Sequence, residues 1–231
     1  MKRVLRFAGW VAAAAIAIFL AVQLSFLARV WWWRDHDPEA TAFMKSRLTQ
    51  MRVKNPQAQL QHRWVAYSRI SENMKRAIVV AEDSRFVDHE GFDWDAIEKA
   101  REKNQKKGRI VAGGSTISQQ LAKNLFLSPS RTPWRKGQEA LITVMIEHLM
   151  DKRRILEIYL NVIEWGDGVF GAEAAARHYY GVPASALGAE PAARLAAIVP
   201  DPRRYDHNRA SAFISRKTQT ILARMPAAEL P

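Results

Sequence analysis

The sequence predicts a mainly α-helical domain carried on one transmembrane helix. Apolar residues recur at three- and four-residue spacing in segment after segment, and helix-capping residues stand just ahead of several of those segments. The 22 residues 7–28 carry no charge. No stretch shows sustained strand alternation, and there is no internal repeat or low-complexity tract.

Taken in order, residues 7–28 would span about 33 Å as a helix, enough for a bilayer core. The run is longer than a secretory signal core, and Trp31, Trp32 and Trp33 follow it in place of a small-residue cleavage pattern, so a retained anchor is favoured over a cleaved leader. The three tryptophans suit the interfacial belt, and Lys2, Arg3 and Arg6 ahead of the span favour a cytoplasmic N-terminus. Residues 1–34 are thus read as N-terminus and anchor, 35–60 as a connector and 61–231 as the folded domain. Pro38 and Pro56 break the polar connector, which holds one helix near residues 39–51. Ser71 caps a helix through Met74, Ala77, Ile78 and Ala81 that ends near the 83–91 loop. Residues 95–104 form a charged helix, and residues 99–109 hold six basic residues against Glu102 alone. Beyond Gly113 and Gly114, Ser115 is expected to cap the next helix. A long helix over about 135–149 is expected to bury Leu141, Val144, Met145 and Leu149. Helices at 152–162, 172–180, 191–198 and 211–224 complete the set, with a glycine-punctuated loop after the first of them.

Composition narrows the chemistry. The 231 residues include no cysteine, which excludes a disulfide framework, a thiolate nucleophile and Cys-ligated metal; reactions must use carboxylates, histidines, hydroxyls and cations. The net charge is +12, and residues 1–34 contain five cations and no acid, so 30 basic residues still face 23 acidic ones in the rest. That balance points to an anionic partner: nucleic acid, a membrane surface or a phosphate-bearing substrate.

Three segments could carry chemistry. Glu82 and Asp83 close a helix and enter a loop with Arg85, Phe86, His89 and Gly91. Apolar neighbours and an adjacent like charge can raise a carboxyl pKa toward the range a general base or acid needs. The plainer alternative is a solvated helix end paired with Arg85 and Lys75. In the second segment, Gly113, Gly114 and Ser115 open a helix whose polar face shows Thr116, Gln120, Lys123 and Asn124. Exposed amides at a helix N-terminus, with Lys123 and Arg131 nearby, suit a phosphate or diphosphate; the alternative is an ordinary amphipathic helix. The third segment, from Arg131 through Arg135 and Lys136 to Glu139, is a cationic loop entering a helix with Glu139 in its first turn, of interest only as a second carboxylate facing Glu82. Gly166 to Gly171 matches the dinucleotide-binding string but lacks the preceding strand of a βαβ unit. His62, His89, His148, His178 and His207 are dispersed without zinc-type pairing, and no metal site is predicted.

Five blocks stand in order: Glu82-Asp83-x-x-Phe86-x-x-His89-x-Gly91; Gly114-Ser115-Thr116-Ile117-x-Gln119-Gln120-Leu121-x-Lys123-Asn124; Arg135-Lys136-x-x-Glu139; Lys152-x-x-Ile155-Leu156-Glu157-x-Tyr159-Leu160-Asn161; and Gly166-x-Gly168-x-x-Gly171. Over roughly residues 60–225 the chain resembles the glycosyltransferase family that polymerises peptidoglycan, the domain also found at the front of bifunctional penicillin-binding proteins. The blocks depart from the family pattern near the C-terminus, where Asp206-His207 replaces the more usual Asn-Pro. Neither Ser-x-x-Lys nor Lys-Thr-Gly, the strings of the partner transpeptidase, occurs here, so the chain is most similar to the monofunctional, membrane-anchored members.

The resemblance implies a lysozyme-like fold with a smaller membrane-facing lobe, and lipid II and the growing lipid-linked glycan as substrates. It implies that Glu82 is the base and that Glu139 positions substrate or assists the leaving-group side. Asp83 would orient Glu82, Lys123 and Arg131 would steady the leaving diphosphate, and Ser115, Gln120 and Asn124 would line the site. Phe86, His89, Arg135 and Lys136 join the expected substrate-binding set. A divalent cation such as Mg2+ could assist at the diphosphate, and no other cofactor is called for. The expected setting is the cell inner membrane, single-pass, with the domain periplasmic and with other cell-wall synthesis or division proteins, not nucleic acid, as partners. Two rivals are a lysozyme-type hydrolase or lytic transglycosylase, which has no diphosphate to bind, and a basic tethered module for nucleic acid or another anionic polymer.

Overall fold

A computed structural model describes residues 2–109, 111, 113–130, 132–208 and 211–231. Helix α1 (Lys2–Trp33) is unbroken and is long and apolar enough to cross a membrane. After it come α2 (Ala42–Lys54), strand β1 (Gln61–His62), α3 (Glu72–Glu82), α4 (Trp94–Lys107), α5 (Ile117–Phe126), α6 (Pro133–Leu149) and α7 (Lys152–Val162). Strands β2 (Glu164–Gly166) and β3 (Val169–Phe170) form a hairpin, and α8 (Ala172–Tyr180), α9 (Ala189–Ile198), α10 (Pro202–His207) and α11 (Ala212–Arg224) close the chain.

Helix α7 is the centre of the core. Ile155, Leu156, Ile158, Tyr159, Leu160 and Val162 are all fully buried, which leaves it almost no solvated face. Helix α5 packs against α6 and α7, while α3, α9 and α11 form a second group joined to them through the core. Ser71 and Asp93 accept from the backbone amides three residues on and so start α3 and α4. The next cap differs from expectation: Thr116, not Ser115, starts α5, because its hydroxyl accepts from Gln119 N while the Gln119 side chain accepts from Thr116 N. This reciprocal pair leaves the Ser115 side chain outside the helix.

Helix α6 also differs. Thr132 caps it and Pro133 opens it, so Glu139 falls in the second turn. Its inward face carries Gln138, Glu139, Ile142, Thr143 and Ile146, whereas Leu141 and Val144 are exposed. Helix α1 runs beside the first half of α6. Gln23 Nε2 donates to Gln138 Oε1 at 2.9 Å, and Phe19 lies 6.1 Å from Trp134 between ring centroids. Further along α1, Phe26 and Trp33 both contact Phe126, and Val30 is fully buried. Arg154 fastens the end of the anchor, donating to the carbonyls of Trp33 and His36 and pairing with Asp37 at 2.9 Å.

The strands, absent from the sequence reading, are two or three residues long, too short for alternation to show. The sheet order is β1-β3-β2, with β1 parallel and β2 antiparallel to β3, and Gln61 opposite Val169. The glycine string read as a turn is this hairpin. Gly171 leaves it at φ +83°, where a Cβ would lie 2.7 Å from Asn161 O, so a side chain is excluded by both conformation and space. Asp206, at the weak point of the resemblance, accepts from Asp167 N at 3.1 Å and meets His178 Nε2 at 2.9 Å, tying α10 to the hairpin and α8.

Candidate active site

Glu82 is the last residue of α3, half-buried, and its Oε2 accepts from Gln120 Nε2 at 2.9 Å. Burial raises its pKa above the ordinary carboxylate value, and the negative charge of Asp83 adds to this. The Gln120 hydrogen bond, Lys217 and Lys123 oppose the rise in that order. Gln120 is itself held, since its Oε1 accepts from the Tyr159 hydroxyl at 2.9 Å and its carbonyl from Asn124 Nδ2 at 2.7 Å.

Asp83 does structural work beneath this pair. It is buried, meets His89 Nε2 at 3.0 and 3.2 Å, and accepts at 2.9 Å from the amide of Ile117, the first residue of α5. The other ring nitrogen, Nδ1, accepts from Gly91 N at 3.2 Å, which places a proton on Nε2 facing the carboxylate. Thus the turn after α3 and the start of α5 are held by one carboxylate, and that fixes where Gln120 lies relative to Glu82. Phe86 and His89, expected to bind substrate, are interior instead. Phe86 is fully buried under Lys152, whose Nζ lies 4.7 Å from its ring centroid, and the His89 carbonyl accepts from the same Nζ. Lys152 also pairs with Glu147 at 2.8 Å, and Ser118 donates to that carboxylate.

The second part of the site is cationic. Glu139 is buried and grips Arg135 at 2.6 Å and Lys136 on its other oxygen, so its carboxylate is occupied by two cations. Arg135 Nε is buried and has no hydrogen-bond partner among the described residues. Lys136 Nζ reaches Ser115 Oγ at 3.5 Å. Lys123 is half-buried, and burial lowers its pKa; Glu139 opposes this, Arg135 and Lys136 lower it further, and Glu82 also opposes. Lys123 therefore feels both carboxylates and both neighbouring cations. Arg131 lies outside the described residues.

A cleft of about 640 Å³ is lined by Ile97, Asn104, Gly114, Ser115, Gln119 and Lys136. A smaller one beside it is lined by Glu82, Asp83, Gly114, Ser115 and Thr116. The two share Gly114 and Ser115, where the chain presses on α4 so closely that a Cβ at Gly114 would sit 2.8 Å from Ile97 Cα.

Two polar residues at this site have no role there that the sequence alone assigns, Tyr159 being named only within the fourth block. Lys217, on α11, is half-buried; burial lowers its pKa and Glu82 opposes that fall. The visible signal is a lysine set among Ile214, Thr218 and Ile221, the buried face of α11. Tyr159 was submerged in an apolar run, but a fully buried phenol requires an acceptor, and its acceptor is Gln120.

A desolvated carboxylate beside a cation-rich cleft, on a helical domain carried by a membrane-length helix, is an arrangement suited to acid–base chemistry on an anionic substrate. The Transglycosylase family model matches residues 48–226. A biosynthetic peptidoglycan transglycosylase of Herminiimonas arsenicoxydans is 58% identical over 231 residues, covering 100% of both chains. One from Janthinobacterium sp. (strain Marseille) is 56% identical over 231 residues, again covering 100% of both. One from Dechloromonas aromatica (strain RCB) is 62% identical over 216 residues, covering 94% of each. The chain belongs to the transglycosylase family.

Proposed function

We propose that this protein polymerises lipid II into β-1,4-linked glycan, with the growing lipid-linked chain as donor. Glu82 takes the proton of the acceptor 4-hydroxyl as that oxygen attacks the donor's anomeric carbon. The bond to the undecaprenyl diphosphate breaks, its electron pair leaves with the diphosphate, and the anomeric centre inverts. Lys123 faces the developing charge, with Ser115, Asn124 and Lys136 lining the same region, and the resemblance assigns Arg131 to the same diphosphate-steadying role. Glu139 acts through the two cations it holds, setting where they meet the leaving group.

The single observation carrying this reading is on α5: Gln120 holds the desolvated Glu82, and Lys123, one turn on, is half-buried in a cluster where it, Arg135 and Lys136 meet the carboxylates of Glu82 and Glu139. The three cations exceed the two carboxylates, which suits a diphosphate. The anchor keeps the site at the membrane that carries the lipid substrate, and the lysines and arginines of α4 suit anionic headgroups. Lys2, Arg3 and Arg6 support an orientation with the N-terminus cytoplasmic and the domain on the far side, and the resemblance to the monofunctional members supports the inner membrane with a periplasmic domain. Other cell-wall synthesis or division proteins are the protein partners this setting suggests.

Among the described residues no group of three His, Asp or Glu side chains is arranged for a metal ion, and Glu139 is already occupied. A Mg2+ that aids the reaction would come with the diphosphate's own oxygens.

The test is to incubate the full chain and its Glu82→Gln variant with labelled lipid II and no other enzyme, and to resolve products by size. Polymer from the wild type alone supports both reaction and base. Polymer from both removes Glu82 as base, and no polymer from either overturns the reading.

A further inference from the structure

Tyr159 is fully buried at the middle of α7, and its hydroxyl has no part in the roles above. Among the described residues its one hydrogen bond goes to Gln120 Oε1, at 2.9 Å. Burial, with Glu82 and Asp83 nearby, holds the phenol pKa well above its usual value, so the group stays protonated and is a donor. The far end of the same amide meets Glu82 at 2.9 Å.

A carboxamide can turn over, exchanging its oxygen and its NH2 with little change of shape. The two orientations have opposite effects on Glu82. The nitrogen donates to an ionised carboxylate and favours it; the oxygen repels that form and accepts from the protonated one. What satisfies the remote end therefore decides which form of Glu82 the near end favours. We propose that Tyr159 is a positioning residue for proton transfer: by donating to Gln120 Oε1 it keeps the amide nitrogen on Glu82, so that the buried carboxylate stays ionised and able to accept a proton.

Among the described residues the other charged groups acting on Glu82 are Lys217 from α11, Lys123 from α5 and the adjoining Asp83, and none of them is hydrogen-bonded to the Tyr159 hydroxyl. Removing that hydroxyl thus isolates the amide. In Tyr159→Phe the ring stays and fills the same space, while Gln120 is free to turn. The inference rests on Glu82 being the base, so its test has one readout through catalysis and one without it.

The pH profile of kcat/KM for lipid II polymerisation is measured for wild type, Tyr159→Phe, Gln120→Leu and the double variant. The acid limb should move to higher pH by about one unit in Tyr159→Phe, the size expected from a lost hydrogen bond to a charged group, with the alkaline plateau near wild type. Gln120→Leu should move it in the same direction, and the double variant no further than Gln120→Leu. Independently, infrared titration should follow the protonated-carboxyl band that Glu82→Gln abolishes, and its midpoint should rise in Tyr159→Phe whether or not the variant turns over. A rate that falls equally at every pH, an unmoved band, or additive shifts in the double variant would overturn the inference. If Glu82→Gln still polymerises while the band moves, the base assignment fails and the positioning of the amide stands.

Discussion

Asp83 offers the sharpest test of how the site is built. Its carboxylate satisfies two buried donors, His89 Nε2 at 3.0 Å and the Ile117 amide at 2.9 Å. Asp83→Ala leaves both without their acceptor at a largely buried position beside the cleft. A stranded buried donor costs about 1–3 kcal/mol, so the pair should cost about 4 kcal/mol. At roughly 3 °C per kcal/mol for a domain of this size, Tm should fall by about 12 °C. Function should suffer even where the variant is folded. Ile117 opens α5, and Gln120 and Lys123 lie one and two turns beyond it, so releasing that end misplaces both. A misplacement near 1 Å can cost about a hundredfold in rate. The assay is thermal unfolding of the full chain in detergent by circular dichroism, with lipid II polymerisation measured well below the variant's Tm. Ser84→Ala, at the exposed neighbouring position, is the control and should stay within about 0.5 kcal/mol of wild type. A fall in Tm under about 3 °C, or unimpaired polymerisation by Asp83→Ala, would refute the claim that this carboxylate pins the two segments together.

Lys217 lowers the pKa of Glu82, so Lys217→Met should raise it and carry the acid limb of kcat/KM upward; an unmoved or lowered limb would remove Lys217 from the site. Glu82 itself should cost stability. Its folded pKa is raised, so the folded state binds more protons than the unfolded one, and stability falls as pH climbs from the unfolded to the folded value. Glu82→Gln should therefore unfold at higher denaturant concentration than wild type at neutral pH, with the gain vanishing in acid below the unfolded pKa, and equal midpoints at neutral pH would contradict this. The Gln23 to Gln138 bond holds α1 against α6. Gln23→Leu should loosen that seam by about 1 kcal/mol and broaden the distance distribution between spin labels at Leu20 and Leu141 in nanodiscs, both exposed positions; an unchanged distribution would count against the bond.

Helices that carry their own start signal and an apolar stripe were readable with no structure. α7 and α8 fall on the residues expected, and α3 begins at its Ser71 cap. α6 shows where this stops. Leu141 and Val144 read as core because periodicity cannot tell a face turned to the core from one turned outward beside a membrane-length helix. Ser115 and Thr116 both make good caps, and the choice fell to Thr116 because Gln119 lies three residues on and completes the reciprocal pair. Hairpins of two and three residues carry too little pattern to be read at all.

The family-specific blocks and the long uncharged segment let the sequence by itself determine the helical class, a membrane-length N-terminal helix and the grouping of Glu82, Gln120 and Lys123 in one candidate site. Their chemical states came only from the tertiary structure. Burial of Glu82, the approach of Lys217 from 135 positions away in the chain, the Tyr159 contact across two helices and the capture of Glu139 by Arg135 and Lys136 depend on which faces meet. Phe86 and His89 sit in a recognisable block yet act beneath the surface, because a motif records which residues are present and not which of them faces the cleft. Local sequence sets hydrogen-bonding patterns within a turn or two of helix; the pKa of a carboxylate depends on solvent exclusion and on charges brought near by folding, and those exist only once the chain has packed.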